Sequence, residues 1–422
     1  MLFARFVARL RLIGGLGGFK VGAVKHRVLV SAGDHSGDLI LSKIVSTLSG
    51  AYPDRLEFVG LAGPLSQAAG VRPIGRTQDV AVVGIVEVLR NLKKIFAVLG
   101  ALEAELKSVD SVLCIDFPDF NLKLAGMARK QNKPVDYIIA PQVWAWRKHR
   151  LPMIKSLLRK LYVALPFEKE IFLDAGVNAE FLGHPIRDAL LPLNRRGARE
   201  NLGLAENDFV ICVMPGSRHA EIKRHLALLV KSWEIFKRLA EQKGLAKVGV
   251  RQRAIVAVAQ GQSAESFLSH LAPKDRARAE ALIASGEWKL VFQSHLAQMA
   301  SDFGWVASGT ASLEAAYYQL PHILFYKLNP LSAWLIKSLT SYFSDPDSFA
   351  GLPNILLRRG VIPEILQHEV NAERIAAETV ELLLDSPRLT AIKKSLRFIP
   401  KKLGDAGVSF RIAEDLAKLW KL

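Results

Sequence analysis

One pattern recurs along this chain: a short continuous apolar run, a turn carrying glycine, serine or aspartate, and then a helical stretch. Residues 27–32 open it, followed by Gly33-Asp34-His35-Ser36-Gly37-Asp38 and a helical pattern over 39–48. Continuous apolar runs mark parallel strands buried on both faces, and parallel strands need crossover helices between them. Residues 56–61, 112–115, 135–140 and 179–185 repeat the run, and a second series starts at 209–214. It continues through 254–259, 289–292, 305–307 and 322–326. Between the two series, residues 188–206 are polar and carry Pro192, Asn194 and Gly197. Two βα-repeating halves joined by one linker predict an α/β protein of two facing Rossmann-like doubly wound domains with a cleft between them. The expected domains are 26–190 and 205–385, preceded by a basic apolar extension over 1–25 and followed by a helical segment over 386–422.

Ligands of open α/β sheets bind beyond the carboxyl ends of the strands. The 112–115 run stops there at Asp116-Phe117-Pro118-Asp119-Phe120-Asn121, and the 135–140 run empties into Pro141-Gln142-Val143-Trp144-Ala145-Trp146-Arg147. Two strands thus bring a carboxylate pair and a Trp-x-Trp-Arg segment to one sheet edge. The 33–38 turn is not G-x-G-x-x-G, so no dinucleotide fingerprint is read there. It is either a ligand loop or a tight turn in which Asp34 or Ser36 caps a helix.

In the second half, Pro215-Gly216-Ser217-Arg218 and Ser308-Gly309-Thr310 each leave a strand and open a helix. Unpaired N–H groups and the helix dipole make such termini anion sites, and two of them with Arg218 suit a diphosphate. Glu314 lies one turn past Thr310, where a carboxylate can accept from ribose hydroxyls. Ordinary N-capping is the alternative at both turns.

Lys and Arg outnumber Asp and Glu by 57 to 40, a net charge of +17. That balance speaks of partners rather than fold: nucleic acid, an anionic membrane or phosphorylated substrates. Arg147-Lys148-His149-Arg150 leads to Lys155, Arg159 and Lys160, with no acid between Asp136 and Glu168. This is either a solvated face or a site for an anionic partner. Residues 82–96 start apolar and end basic, with Arg90, Lys93 and Lys94, and read as a core helix or a contact with an anionic surface. No run of 18 apolar residues predicts a membrane span. Residues 1–25 hold five cations and no acid, and fit a signal peptide, an interfacial helix or an extension. Cys114 and Cys212 lie in apolar runs and predict buried thiols rather than a disulfide or a metal site.

The chain resembles the lipid-A-disaccharide synthase family across residues 27 to about 370. The resemblance rests on the 32–38 turn, on Val83-Gly84-Ile85-Val86-Glu87-Val88-Leu89, and on Ile115–Asn121. It continues through Val143–Arg147, Leu165-Pro166-Phe167-Glu168-Lys169, Phe181-Leu182-Gly183-His184-Pro185 and Pro215–Arg218. The 307–314 turn and Gly351-Leu352-Pro353-Asn354 complete it.

The resemblance implies a GT-B-like fold and a transferase joining UDP-2,3-diacylglucosamine to 2,3-diacylglucosamine 1-phosphate, with release of UDP. It implies Asp116 as general base, a structural cap being the alternative. Gly216, Ser217, Arg218, Ser308, Gly309, Thr310, Glu314 and Asn354 would hold the donor. Asp34, Ser36, Glu87, Asp119, Asn121, Trp146 and Arg147 would lie on the acceptor and lipid side, with Trp144 and Trp146 packing or meeting acyl chains. No cofactor is expected, and the D-x-x-D spacing of Asp116 and Asp119 predicts no catalytic metal. The implied setting is the cytoplasmic face of the inner membrane, bound peripherally to its anionic surface; a homodimer is compatible with it. Asp34-His35, Gly63-Pro64-Leu65-Ser66 and the stretch 342–350 depart from the family pattern, the first two on the acceptor side. The competing readings are another UDP-N-acetylglucosamine transferase, a 2-epimerase, and a nucleic-acid-binding protein; the basic residues form no recognisable nucleic-acid module.

Overall fold

The computed structural model describes residues 25–80, 85–146, 148–245, 250–259, 261–327 and 348–422. Of the sequence expectations, the extension over 1–24, the side chains of Glu87, Arg90 and Trp146, Arg147, and residues 342–347 lie outside the described residues.

The chain divides into two units. One holds the described residues up to Ala189 together with Leu403–Leu422, and the other is Leu190–Lys402. The first is built on β1 (His26–Ala32), β2 (Leu56–Ala62), β3 (Arg72–Arg76), β4 (Ser111–Ile115), β5 (Val135–Ile138), β6 (Lys160–Tyr162) and β7 (Ala179–Glu180). The second is built on β8 (Phe209–Met214), β9 (Gln252–Ala257), β10 (Trp288–Val291), β11 (Phe303–Ala307), β12 (His322–Tyr326) and β13 (Glu364–Leu366). All pairings are parallel. Strand orders are β3-β2-β1-β4-β5-β6-β7 and β10-β9-β8-β11-β12-β13. In each sheet the order reverses once, between β1 and β4 or between β8 and β11. Doubly wound sheets receive ligands at that switch point, so the loops after these four strands are where chemistry belongs.

Strand alternation divides the first unit's core in two. Leu29, Val112 and Cys114 pack on one face with the Pro118–Lys130 helix. Val28, Val30 and Leu113 pack on the other with Ile40, Leu41 and Ile44 of the His35–Ala51 helix. That second face is also covered by the Val408–Leu419 helix, whose Val408, Ile412, Ala413 and Leu416 follow the 3.6-residue period. The tail expected as one segment over 386–422 therefore divides: Ser386–Leu396 stays with the second unit and the last helix returns to the first. Asp188 anchors the return, its carboxylate accepting the N–H groups of Gly407, Val408 and Ser409 at 2.6, 2.9 and 2.7 Å.

Strands β3, β6 and β13 escape the apolar-run pattern. β3 is the edge segment Arg72-Pro73-Ile74-Gly75-Arg76, where proline is tolerated because one side pairs with no other strand among the described residues. β6 and β13 are three residues each, and β6 begins inside the basic run. No described helix is long and apolar enough to cross a membrane.

Candidate active site

In the first unit the switch point lies between the loops after β1 and β4. Asp116 and Phe117 both hold positive φ, 47° and 51°, a left-handed pair that costs non-glycine residues of order 1–3 kcal/mol each. Four side chains fix this turn. Asn121 donates from Nδ2 to Ile115 O at 3.1 Å and Asp116 O at 2.7 Å, while its Oδ1 accepts from Ser31 Oγ at 2.6 Å. Tyr137 OH donates to Asp116 O at 2.5 Å. The Phe117 ring lies over Gly33, where a Cβ would come within 2.2 Å of it, so only glycine fits there. Asp116 is left half-buried at the end of β4. Strain held this firmly at a switch point is how a fold stores geometry for function. Asn121, expected on the acceptor side, is wholly buried and serves the turn instead.

The other acceptor-side expectations divide. Asp34 caps the His35–Ala51 helix, accepting from Gly37 N–H at 2.7 Å, and Ser36 is exposed on its first turn. Asp38, whose role the sequence pattern does not disclose, is buried and accepts from the N–H groups of Gly63, Leu65 and Ser66 and from Ser66 Oγ. The departure at 63–66 is thus matched internally: Ser66 supplies a hydroxyl that Asp38 takes. Asp119 is exposed and pairs with Arg150 at 2.8 Å.

The basic run is compensated by acids from elsewhere in the chain. Arg150 meets Asp119, Arg159 makes a fork on Asp136, and Lys160 meets Glu180. Local charge counting misses such partners. Lys148, His149 and Lys155 remain exposed.

Trp144 packs. Its ring meets Phe167 edge-on at 5.3 Å, and Nε1 donates to Glu168 Oε1 at 2.9 Å. Glu168 Oε2 accepts from Leu165 N–H at 2.9 Å, so one buried carboxylate ties the turn after β6 to the turn after β5. Burial pushes this carboxyl up to about 7 against the pull of its N–H donors, and the negative charge of Asp116 pushes the same way. A carboxyl raised on folding contributes stability below about pH 4.5 that is lost as the pH climbs to about 7, here about 3 kcal/mol. Glu168→Gln is expected to flatten that part of the stability curve. Urea midpoints of parent and variant between about pH 5 and 7.5 check it, and an unchanged slope would mean that Glu168 ionises normally.

In the second unit the two switch-point turns differ. After β8, Gly216 has φ 119°, and a Cβ there would come within 2.7 Å of Glu221. Glu221 Oε2 accepts from Ser217 and Arg218 N–H at 3.1 and 3.3 Å, and Oε1 pairs with Arg218 Nη1 at 2.9 Å. The N–H groups expected to face a diphosphate are therefore held by the chain's own carboxylate, the Glu221 half of a capping box. The Ser217 and Arg218 side chains stay exposed. After β11, Gly309 has φ 143°, a Cβ there would meet no described atom within 4 Å, and Thr310 is exposed at the helix start. This second turn is the open one.

Glu314 accepts from Gln298 Nε2 at 3.2 Å, and burial raises its pKa against that bond. Asn354 is 1 % exposed and fully used. Its Nδ2 donates to Ile362 O at 2.8 Å and Glu364 Oε1 at 2.7 Å, and its Oδ1 accepts from Val361 and Ile362 N–H at 2.9 and 2.8 Å. An amide has two donors and one oxygen, so nothing remains for a nucleotide. Asn354 clamps the loop that runs from its own helix to Glu364.

The family profile described as lipid-A-disaccharide synthetase matches residues 28–405. Lipid-A-disaccharide synthase from Myxococcus xanthus is 33% identical over 399 residues, 93% of this chain and 97% of the relative. The one from Syntrophus aciditrophicus is 34% identical over 389 residues, 92% and 96% of the two chains. Among solved structures, a UDP-GlcNAc 2-epimerase from Neisseria meningitidis bound to UDP-GlcNAc aligns with TM-score 0.56 and 13% identity, covering 93% of this chain and all of that one. A calicheamicin glycosyltransferase aligns with TM-score 0.52 and 13% identity over 94% and 98%. At such identity the structures speak for the fold alone, which is α/β with two parallel Rossmann-like sheets of the GT-B kind. The profile and the one-third identity over nine-tenths of the length decide the rest: this chain belongs to the lipid-A-disaccharide synthase family of glycosyltransferases.

Proposed function

We propose that the chain joins UDP-2,3-diacylglucosamine to 2,3-diacylglucosamine 1-phosphate in one inverting displacement. The acceptor 6-hydroxyl attacks the anomeric carbon, its proton passes to Asp116, the bond to UDP breaks, and the β-1,6-linked disaccharide 1-phosphate forms. The carrying observation is Asp116 itself: a half-buried carboxylate held on a strained turn by Ser31, Asn121 and Tyr137. A general base needs that kind of fixed placement. The leaving UDP carries negative charge, and the open turn at Ser308, Gly309 and Thr310, with the exposed Ser217 and Arg218 side chains, offers donors for it. Gly216 shapes the turn after β8, Asn354 clamps its own loop as far as Glu364, and Glu314 is assigned the ribose hydroxyls. Asp34 and Ser36 border the acceptor side.

The same reading sets the protein on the cytoplasmic face of the inner membrane. Support comes from the Ile85–Glu105 helix, where Phe96 is 55 % exposed beside the exposed Lys93 and Lys94, with Lys123 Nζ 5.5 Å from its ring centroid. An aromatic among cations suits a headgroup layer. The test is turnover by the full chain with both lipid substrates in mixed micelles. Disaccharide phosphate and UDP are the expected products, and intact UDP binding without product would overturn the acceptor assignment.

A further inference from the structure

We propose that the second unit carries its own docking face for an anionic phospholipid surface, formed by Lys393, Lys394, Arg397, Phe398, Lys401 and Lys402. The inference rests on the membrane-surface reading above and deepens it. Helix Ser386–Leu396 runs on into Ile399–Leu403 across a single turn, with Phe398 N–H on Ser395 O at 3.2 Å and Lys402 N–H on Phe398 O at 3.1 Å. Positions 393, 397, 401 and 394, 398, 402 advance by four, so the six side chains stand in two adjacent rows on one side. All six are exposed. The opposite side buries Ile392, Leu396 and Ile399 in the core.

Three observations together distinguish this face from an ordinary solvated one. No acid occurs between Asp385 and Asp405. None of the five cations has an ion-pair partner among the described residues, whereas the cations at 150, 159 and 160 all do. At the centre Phe398 is 58 % exposed, the highest value for any large apolar side chain described. A single exposed apolar side chain is ordinary by itself; what is informative here is its place among five cations that lack an acid partner among the described residues. A second copy of the same face would set five cations against five. An acidic headgroup layer over an apolar one matches both features: lysine and arginine stems reach the headgroups while the ring enters the boundary. Because the helix's apolar side is already spent on the core, attraction to charge carries most of the binding, and salt weakens it.

The experiment is sedimentation of the full chain with phosphatidylcholine vesicles, with and without phosphatidylglycerol. Each cation near an anionic surface is worth roughly fivefold in partitioning. The triple variant Lys394→Gln, Arg397→Gln, Lys401→Gln is therefore expected to lose about 100-fold in binding to phosphatidylglycerol vesicles. Phe398→Ser is expected to lose about tenfold. Turnover on detergent-dispersed substrates should stay within about twofold in both, since neither touches the reacting groups. A triple variant that binds phosphatidylglycerol vesicles as the parent does would overturn the proposal and leave membrane binding to other surfaces. Duplex DNA bound as tightly as the vesicles, lost in the triple variant but indifferent to Phe398→Ser, would overturn it in favour of nucleic acid. Lost turnover with the vesicle results intact would sink the reaction assignment and leave the docking face standing.

Discussion

Asp116→Asn is expected to lower kcat by about 10²–10⁴-fold, the usual worth of a positioned general base, with KM for both substrates changed only a few-fold. Asparagine is the informative replacement because of the backbone. Residue 116 sits at φ 47°, a region that Asn and Asp tolerate better than other side chains. An alanine there would add strain to the loss of the carboxylate and confuse two effects. With asparagine, the bonds from Tyr137 and Asn121 to the carbonyl of residue 116 survive, since they involve the main chain. The urea midpoint should therefore stay near the parent's while turnover collapses. Near-normal turnover would end the assignment of Asp116 as base and leave it a structural residue of the turn.

What the sequence discloses and what it hides follow from locality. Strands β1, β4, β8 and β12 are legible because a strand buried on both faces must be apolar throughout, a local property. Their order is legible in outline, because a restarted βα rhythm leaves few alternatives. The candidate base is legible for the same reason: a polar break at the end of such a run is conspicuous. Partners brought from elsewhere are not. Glu221 reads as one residue of a helix start, yet it fills the turn that looked made for phosphate. Asn354 reads as a ligand residue until Glu364 and the carbonyl of Ile362 are found against it. The basic run reads as uncompensated until Asp136 and Glu180, from neighbouring strands, pair with it. Charge, unlike apolar periodicity, is balanced in space rather than along the chain.

Asp136→Ala is expected to cost the folded protein about 3–5 kcal/mol, the usual loss when one partner of a buried ion pair is removed. Asp136 is the lone acid of β5 and is fully buried. Arg159 lays its Nε, at 2.9 Å, and its Nη2 on the carboxylate, and Trp420 Nε1 donates to the same oxygen as Nη2 at 2.9 Å. Truncation strands a guanidinium that is only 29 % exposed and a buried indole N–H together. Trp420 also stacks on His26 of β1 at 5.4 Å, so this carboxylate joins β5, the start of β6 and the end of the returning helix. Trp420→Phe separates the contributions, because it keeps an aromatic ring against His26 and removes only the indole donor. In that background Asp136→Ala should cost about 1–2 kcal/mol less, the coupling expected for a hydrogen bond to a charged group. Denaturant midpoints of the four proteins measure it. A loss under about 1 kcal/mol for Asp136→Ala alone would mean that water reaches Arg159 and Trp420 once the carboxylate is gone. The last helix would then be held by its apolar face, through Val408, Ile412 and Leu416, and not by the acid beneath it.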